Sequence, residues 1–468
     1  MRQQLPPGPR SHRALQTLAW LVGSTRVMDR CRARYGDVFK LDLMARAVSG
    51  PGATPEEGRW VFLADPEHVK QVFSADPAVV HTGDTNMFLQ PLVGSRSILV
   101  LDEPDHMTQR KLMLPPLHGD RVRDYGELIS AVARAELDRW PDGEPFALWP
   151  RMQAITLEVI VRAVFGISEA TRIEHMSGLL RTLLNRMTSK RWLIRMGLLA
   201  SLRGSRRVEE TNFGSRLVGP VDDAVFTEIR SRRAAPDLHE RGDILSVLMQ
   251  ASYEDGSPMS DEELRDELIT LLIAGHESTA TALAWAFERL LRHPDMLARV
   301  RDEAEVGGDA YADAVVKETL RLRPVLPIVL RRLVEPMDIG GFTLPAGMWL
   351  APCGYLIHRR EDTYPEPLRF RPERFIERPA GTYTWLPFGG GVRRCLGASF
   401  AQLEMKRVLQ AVVTGADLKP ARASSERIRP RFITLAPSRG AEVLMKRRSG
   451  RTRGTPAAVP PVEAVSAS

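Results

Sequence analysis

Cys395 stands in a run of residues suited to metal chemistry, Phe388-Gly389-Gly390-Gly391-Val392-Arg393-Arg394-Cys395-Leu396-Gly397. Downstream, Leu396, Phe400 and Leu403 recur at helical spacing, as do Val408 and Val412, so the cysteine is expected to open a helix. A helix N-terminus carries unpaired N–H groups and partial positive charge, which favour thiolate over thiol. Arg393 and Arg394 add charge beside the sulfur. Three consecutive glycines let the backbone pass close to something flat and bulky. Axial ligation of a haem iron by the Cys395 thiolate is the chemistry this combination serves. The blander reading is a free core cysteine. A phosphate-cradling loop would need Gly-Lys-Ser/Thr after the glycines, and none follows.

Two further groups bear on that chemistry. Ser260 with Glu263 forms a capping box, and helical sequence then runs to His293-Pro294. Roughly 33 residues at ~1.5 Å each make a helix of ~50 Å, long enough to cross the molecule. Its middle reads Ala274-Gly275-His276-Glu277-Ser278-Thr279-Ala280-Thr281. A mid-helix glycine costs ~1 kcal/mol relative to alanine, and hydroxyls bonding back to carbonyls bend a helix. The weakened turn is expected to leave room for a ligand and a water, with Glu277 and Ser278 offering an acid and an alcohol. The alternative is a bend without chemistry. The second group, His106 and Arg110, lies four residues apart on one helix face, so that two donors can hold a carboxylate. An exposed pair is the default for that spacing.

The spacing Phe388-x-x-Gly391-x-Arg393-x-Cys395-x-Gly397 resembles the haem-binding loop of the cytochrome P-450 superfamily, and the other motifs follow in that family's order. The resemblance implies a mainly α fold with a smaller β-rich region and a long central helix over haem b. It implies axial ligation by Cys395, with Phe388 and Arg393 in the haem loop. His106, Arg110 and Arg331 are implied to grip the propionates, Arg331 being preferred over its neighbour Arg332. Glu277, Ser278 and Thr279 fall on the oxygen-activation motif, which supplies protons to dioxygen. Ser278 replaces the threonine usual there; it keeps the hydroxyl but loses rotamer restriction, so more uncoupled oxygen reduction is expected. Thr279 is expected to substitute in part. Glu318, Arg321 and Arg374 match the family's buried Glu–Arg–Arg triad, a structural lock. Phe88, Leu89, Ile328, Val329 and Ile433 are the expected substrate contacts, all apolar.

Composition agrees with a globular protein: 43% of residues are hydrophobic and 26% charged, enough for a large core. Length alone suggests ~3 domains, but the motifs span about residues 5 to 440, so one domain is expected over 1–445. The basic stretch 446–468 is expected to be a disordered tail without a nucleic-acid role. Cys31, Cys353 and Cys395 are too few and odd in number for a disulfide framework. No run of ~18 apolar residues predicts a transmembrane helix, and a monomeric, cytoplasmic protein is expected. The Pro-rich lead Leu5–Pro9 resembles the hinge that follows the anchor of microsomal members, with the anchor itself expected to be absent. Residues 79–100 read as an irregular loop. The basic, apolar stretch Lys190–Arg207 is expected at a substrate entrance, at a membrane surface, or as a plain surface helix.

The function expected is insertion of one atom of O2 into an apolar small molecule. Electrons would come from a separate ferredoxin-type donor docking on Arg110, Lys111, Arg393, Arg394, Lys406 and Arg407. A non-oxidising haem sensor and a peroxide-driven hydroxylase are the alternatives. Dioxygen consumption separates them, because a sensor has no use for the Glu277–Ser278 relay.

Overall fold

The structure is a computed structural model and describes residues 5–43, 58–187, 213–431 and 433–448. The chain begins with helix α1 (Arg13–Tyr35), strands β1 (Val38–Asp42) and β2 (Arg59–Leu63), and α2 (Pro66–Ser74). Both strands are rich in the β-branched and aromatic residues that favour extended backbone. α2 starts where Asp65 caps it, its carboxylate accepting the Glu67 N–H at 2.9 Å.

Residues 79–100 are more ordered than expected. They form β3 (Val80–His81) and short helical turns over Gly83–Asn86, Met87–Leu89 and Gln90–Val93. Asp102 explains part of this order, because its carboxylate accepts N–H groups from Thr82, Gly83 and Asp84 at 2.8, 2.8 and 3.1 Å. Turn-length elements held by a distant side chain leave no periodic signal.

Next come α3 (Asp105–Met113), α4 (Asp120–Leu137), β4 (Pro145–Ala147), α5 (Leu148–Phe165), α6 (Ala170–Met187) and α7 (Phe213–Arg233). The expected entrance segment Lys190–Arg207 lies outside the described residues. Helix α8 (Ile244–Gln250) leads into the long central helix α9 (Asp261–Leu290). Both halves of its capping box form: Ser260 Oγ accepts the Glu263 N–H at 3.2 Å, and Glu263 accepts the Ser260 N–H at 2.8 Å. α9 is buried nearly all round, packing on α5, α7, α11 and α12. Helices α10 (Pro294–Glu305) and α11 (Ala310–Leu322) complete this half.

The β-rich part follows: β5 (Arg331–Leu333), the hairpin β6 (Met337–Ile339) and β7 (Phe342–Leu344), and β8 (Trp349–Pro352). The five-stranded sheet has the order β1-β2-β8-β5-β3, with β2 and β8 parallel. Helix α12 (Ala398–Gly415) carries the chain back through the helical core to β9 (Ala416–Pro420) and the hairpin β10 (Ile428–Arg431)–β11 (Thr434–Pro437). The chain then reaches β12 (Glu442–Arg447), central in a three-stranded sheet with β4 and β9. Lys446 and Arg447 therefore belong to the folded body, pairing with Asp417 and Ala416, and not to a tail. The basic run hid the strand because Lys446 faces water and Arg447 is half-buried by an ion pair with the distant Asp138. One large core lies among the helices and two smaller ones flank the five-stranded sheet, so the mainly α fold with a smaller β-rich region holds.

Candidate active site

The glycine loop sits between the two parts, and its shape is dictated by α2. A Cβ on Gly390 would meet the Phe73 ring at 2.3 Å, and one on Gly391 (φ 66°) would meet the Phe73 carbonyl oxygen at 2.4 Å. These two glycines thus bring the loop against protein, where the sequence alone had suggested room for a flat group. The Cys395 N–H donates to the Phe388 carbonyl at 3.0 Å and closes the loop. Phe388 is fixed edge-on to Trp385, centroids 5.8 Å apart.

The expected cysteine-first helix is corrected slightly. α12 begins at Ala398 with Gly397 as its cap, so Cys395 lies just before the helix. The Cys395 side chain is exposed, although protein atoms crowd around its sulfur. Burial pushes the thiol up; the Gly397 N–H, Arg110 and Arg394 act in the opposite direction. In the protein alone the helix end does not win, and a bound cation is what would favour the thiolate.

Near that sulfur the structure gathers the expected donors. Arg110 donates to the Arg394 carbonyl at 2.8 Å. His106 is buried, and its Nδ1 meets Glu103 at 2.6 Å, leaving Nε2 as its free ring nitrogen. Burial, with Arg393 and Arg110 nearby, pushes the imidazole down to about 4. Arg393 is paired with Asp102 at 2.9 Å. Arg331, on β5, is 6% exposed. Its guanidinium reaches only the Leu330 and Gly390 carbonyls, at 2.8 and 3.5 Å, and lies 5.5 Å from the Phe73 ring. Among the described residues no carboxylate pairs with it, and burial pushes it down to about 10. Its neighbour Arg332 is paired with Asp84 at 2.8 Å. A buried guanidinium without an anion is costly, so a group bearing carboxylates beside Cys395 fits the cluster. Asp102 and Glu103 were missed as orienting residues; their place in the Leu101–Arg110 run was the available signal.

On α9 the helix is continuous through the Gly275 turn. Gly275 admits α5, since a Cβ there would stand 3.3 Å from Ile160 Cδ1. Ala274 is exposed in the middle of this otherwise buried helix, and Ser278, four residues on, shares its face. Ser278 Oγ bonds back to the Ala274 carbonyl at 2.6 Å. Thr279 does not share that opening: it is 3% exposed and turned into the core, against its expected role as a substitute. Glu277 accepts from Gln153 on α5 at 2.8 Å and pairs with Arg431 on β10 at 3.2 Å. Burial raises its carboxyl, against Arg431 and Gln153, which lower it. Neither partner was visible from sequence, because each comes from an element more than a hundred residues away. His276 is a core residue, bonded through Nδ1 to Thr156 at 3.0 Å.

The expected triad forms. Arg321 makes two bonds to Glu318 at 2.7 and 2.8 Å, and Arg374 reaches it at 3.2 Å, all three buried. His358 links this lock to the loop: its Nε2 accepts the Leu386 N–H at 2.8 Å and its Nδ1 meets the Arg321 carbonyl at 3.1 Å. Of the expected substrate contacts, Val329 adjoins the glycine loop, Ile433 is 46% exposed at the β10–β11 turn, and Leu89 and Ile328 pack on core clusters. Phe88 is half-buried. The expected docking face is partly corrected: Arg393 is turned inward onto Asp102, while Lys111 and Lys406 pair with Glu254 and Asp309.

A thiol on a glycine loop, a group of buried and half-buried donors and a long helix with an acid–alcohol pair fit the haem-thiolate class of enzymes. The chain belongs to the cytochrome P450 family, whose model matches residues 6–445, and it is therefore a member of a monooxygenase family. It is 40% identical to cytochrome P450 135B1 of Mycobacterium tuberculosis and Mycobacterium bovis over 454 residues, 94% of this chain and 91% of that protein. Cytochrome P450 137 of Mycobacterium tuberculosis is 38% identical over 93% of this chain and 90% of its own. Among solved structures, the retinoic-acid-bound cyanobacterial CYP120A1 superposes with a TM-score of 0.80 at 21% identity, over 95% of this chain and all of that one. The haem domain of cytochrome P450DA gives 0.79 at 22%, over 95% and 98%. Among the described residues no helix is long and apolar enough to cross a membrane.

Proposed function

We propose that the protein is a haem-dependent monooxygenase that hydroxylates or epoxidises an apolar small molecule, with electrons from a separate ferredoxin-type donor. The observation that carries this is Arg331: a buried guanidinium with no anionic partner among the described residues, beside a glycine loop that presents a cysteine. Arg331, His106, Arg110 and Arg393 would hold the haem b propionates, Phe388 would shield the sulfur, and Cys395 would hold the iron. Bound there, the haem supplies the site at which dioxygen is reduced and one of its atoms transferred.

The chain's own work is proton delivery and exclusion of water. Ser278 Oγ, already bonded to the Ala274 carbonyl, is placed to hold a water on the open face of α9. Glu277, its carboxyl raised by burial, keeps a proton more readily than a surface acid and passes it along. Gln153 and Arg431 hold that carboxyl in place. Thr279 supports the helix from its buried side. This arrangement favours oxidation over sensing, since a sensor would need no acid at that position.

The test has two stages. The reduced protein under carbon monoxide should show the red-shifted band of thiolate ligation. With a surrogate ferredoxin and reductase, an apolar compound that shifts the ferric spin state should raise dioxygen consumption and yield an oxygenated product. Absence of the band would overturn the ligand assignment, and absence of substrate-dependent turnover would leave the sensor reading.

A further inference from the structure

The first ten residues of α1 are amphipathic in the inverted sense. Gln16, 5% exposed, faces the protein; its Oε1 accepts the Asp42 N–H at 2.9 Å and its Nε2 donates to the Ser11 carbonyl at 2.8 Å. Trp20 leans on the sheet, 5.9 Å from Trp60 and 5.4 Å from Phe62 between ring centroids. The opposite face is Ala14, Leu15, Leu18, Ala19, Leu21 and Val22, all exposed. The four larger side chains are 61%, 58%, 67% and 73% exposed, which is no ordinary scatter of single surface leucines. At Gly23 (φ −164°, ψ 66°) the backbone leaves helical geometry. The second half then buries Met28 and Cys31 in the usual sense. The first half is therefore a separate helix of about 15 Å, its apolar side turned outward.

Charge indicates what meets this face. Residues 1–34 hold seven arginines and a single acid, Asp29, in a chain whose formal net charge is +7. Arg10, Arg13, Arg26 and Arg30 are exposed at the two ends of the apolar strip. Asp29 is bonded to the Tyr355 hydroxyl at 3.0 Å. An apolar strip bounded by arginines suits an anionic lipid surface, where the leucines enter the acyl boundary and the guanidinium groups meet headgroup phosphates. We infer that helix 13–22 of this protein docks on the surface of anionic membranes, lying in the plane of the interface. It is too short to span a bilayer. This inference rests on α1 alone and is independent of the haem chemistry.

Sedimentation of the full-length haem-loaded protein with vesicles tests it. Vesicles of phosphatidylcholine mixed with phosphatidylglycerol should bind about tenfold more protein than phosphatidylcholine alone, and added salt should reduce the difference. The variant Leu15→Ser/Leu18→Ser/Val22→Ser should lower binding to the mixed vesicles by about tenfold or more. Arg10→Glu/Arg13→Glu should abolish the preference for phosphatidylglycerol while leaving gel filtration and the haem spectrum unchanged. It decides the matter even if the triple variant does not fold. Equal sedimentation with both vesicle types, unaltered by Arg10→Glu/Arg13→Glu, would overturn the inference. So would light scattering that shows a dimer which the serine variant makes monomeric, since a second copy would then cover the strip.

Discussion

Arg331 and Arg332 are adjacent in the chain and opposite in consequence. Alternation along β5 turns one guanidinium into the protein without a carboxylate and the other toward Asp84. Replacing Arg331 with leucine should raise the rate of haem loss roughly 10–100-fold, the worth of a charge-assisted hydrogen bond. The haem-free protein should not become less stable, because the variant removes an unpaired buried charge. Arg332→Leu should cost no more than about 1 kcal/mol and leave haem retention alone. Transfer of haem to a scavenging protein and denaturant titration of the haem-free form measure the two effects. At the other catalytic element, Ser278→Thr should lower the share of oxygen released as hydrogen peroxide, because the added methyl restricts the rotamer that holds the hydroxyl. Glu277→Gln should slow substrate-dependent turnover on the order of tenfold or more by removing the acid. Both are read from product formed per oxygen consumed.

α9 begins where its sequence says it should and is held by partners that its sequence does not reveal. Ser260→Ala should cost ~1 kcal/mol through loss of the cap. Glu318→Ala should cost about 3–5 kcal/mol, since it leaves Arg321 and Arg374 buried without their carboxylate. Denaturant midpoints order the two. The contrast has a physical basis: a cap is a local bond at a partly exposed end, whereas Glu318 neutralises two cations in the interior. α12 and the short turns of residues 79–100 were the hardest elements to place. The start of α12 is delayed by the cysteine loop, and the turns depend on Asp102.

At the scale of the whole molecule, burial holds Glu267 and His276 in their neutral forms, and this sets how stability responds to pH. Burial pushes Glu267 up to about 8, from 4.5 in the unfolded chain. The folded state therefore holds a proton that the unfolded state has lost, and stability falls as pH rises from about 4.5 to about 8. His276 is pushed down to about 4 from 6.5, so the unfolded state binds the extra proton and stability falls as pH drops through that window. Stability should thus decline toward both pH 4 and pH 8. Glu267→Gln should remove the alkaline fall and leave the slope due to His276 unopposed between about pH 4.5 and 6.5, measured by denaturant titration across pH. The same wrapping of the chain puts the N-terminal helix on the outside with its leucines uncovered, the feature from which membrane docking follows.

Read alone, the chain specified what local spacing can encode. The glycine–cysteine loop, the capping box of α9, the His106–Arg110 pair and the Glu318–Arg321 pair are each written within ten residues, so their local arrangement was legible before any fold was known. What tertiary structure decided was everything that depends on which side of an element faces which neighbour. It selected Arg331 by burial, turned Thr279 into the core and gave Glu277 its partners Gln153 and Arg431. It also set Phe73 against the glycines, drew Lys446 and Arg447 into a sheet, and left the apolar face of α1 in water. Periodicity marks an apolar stripe, but only the packed molecule decides whether that stripe is covered.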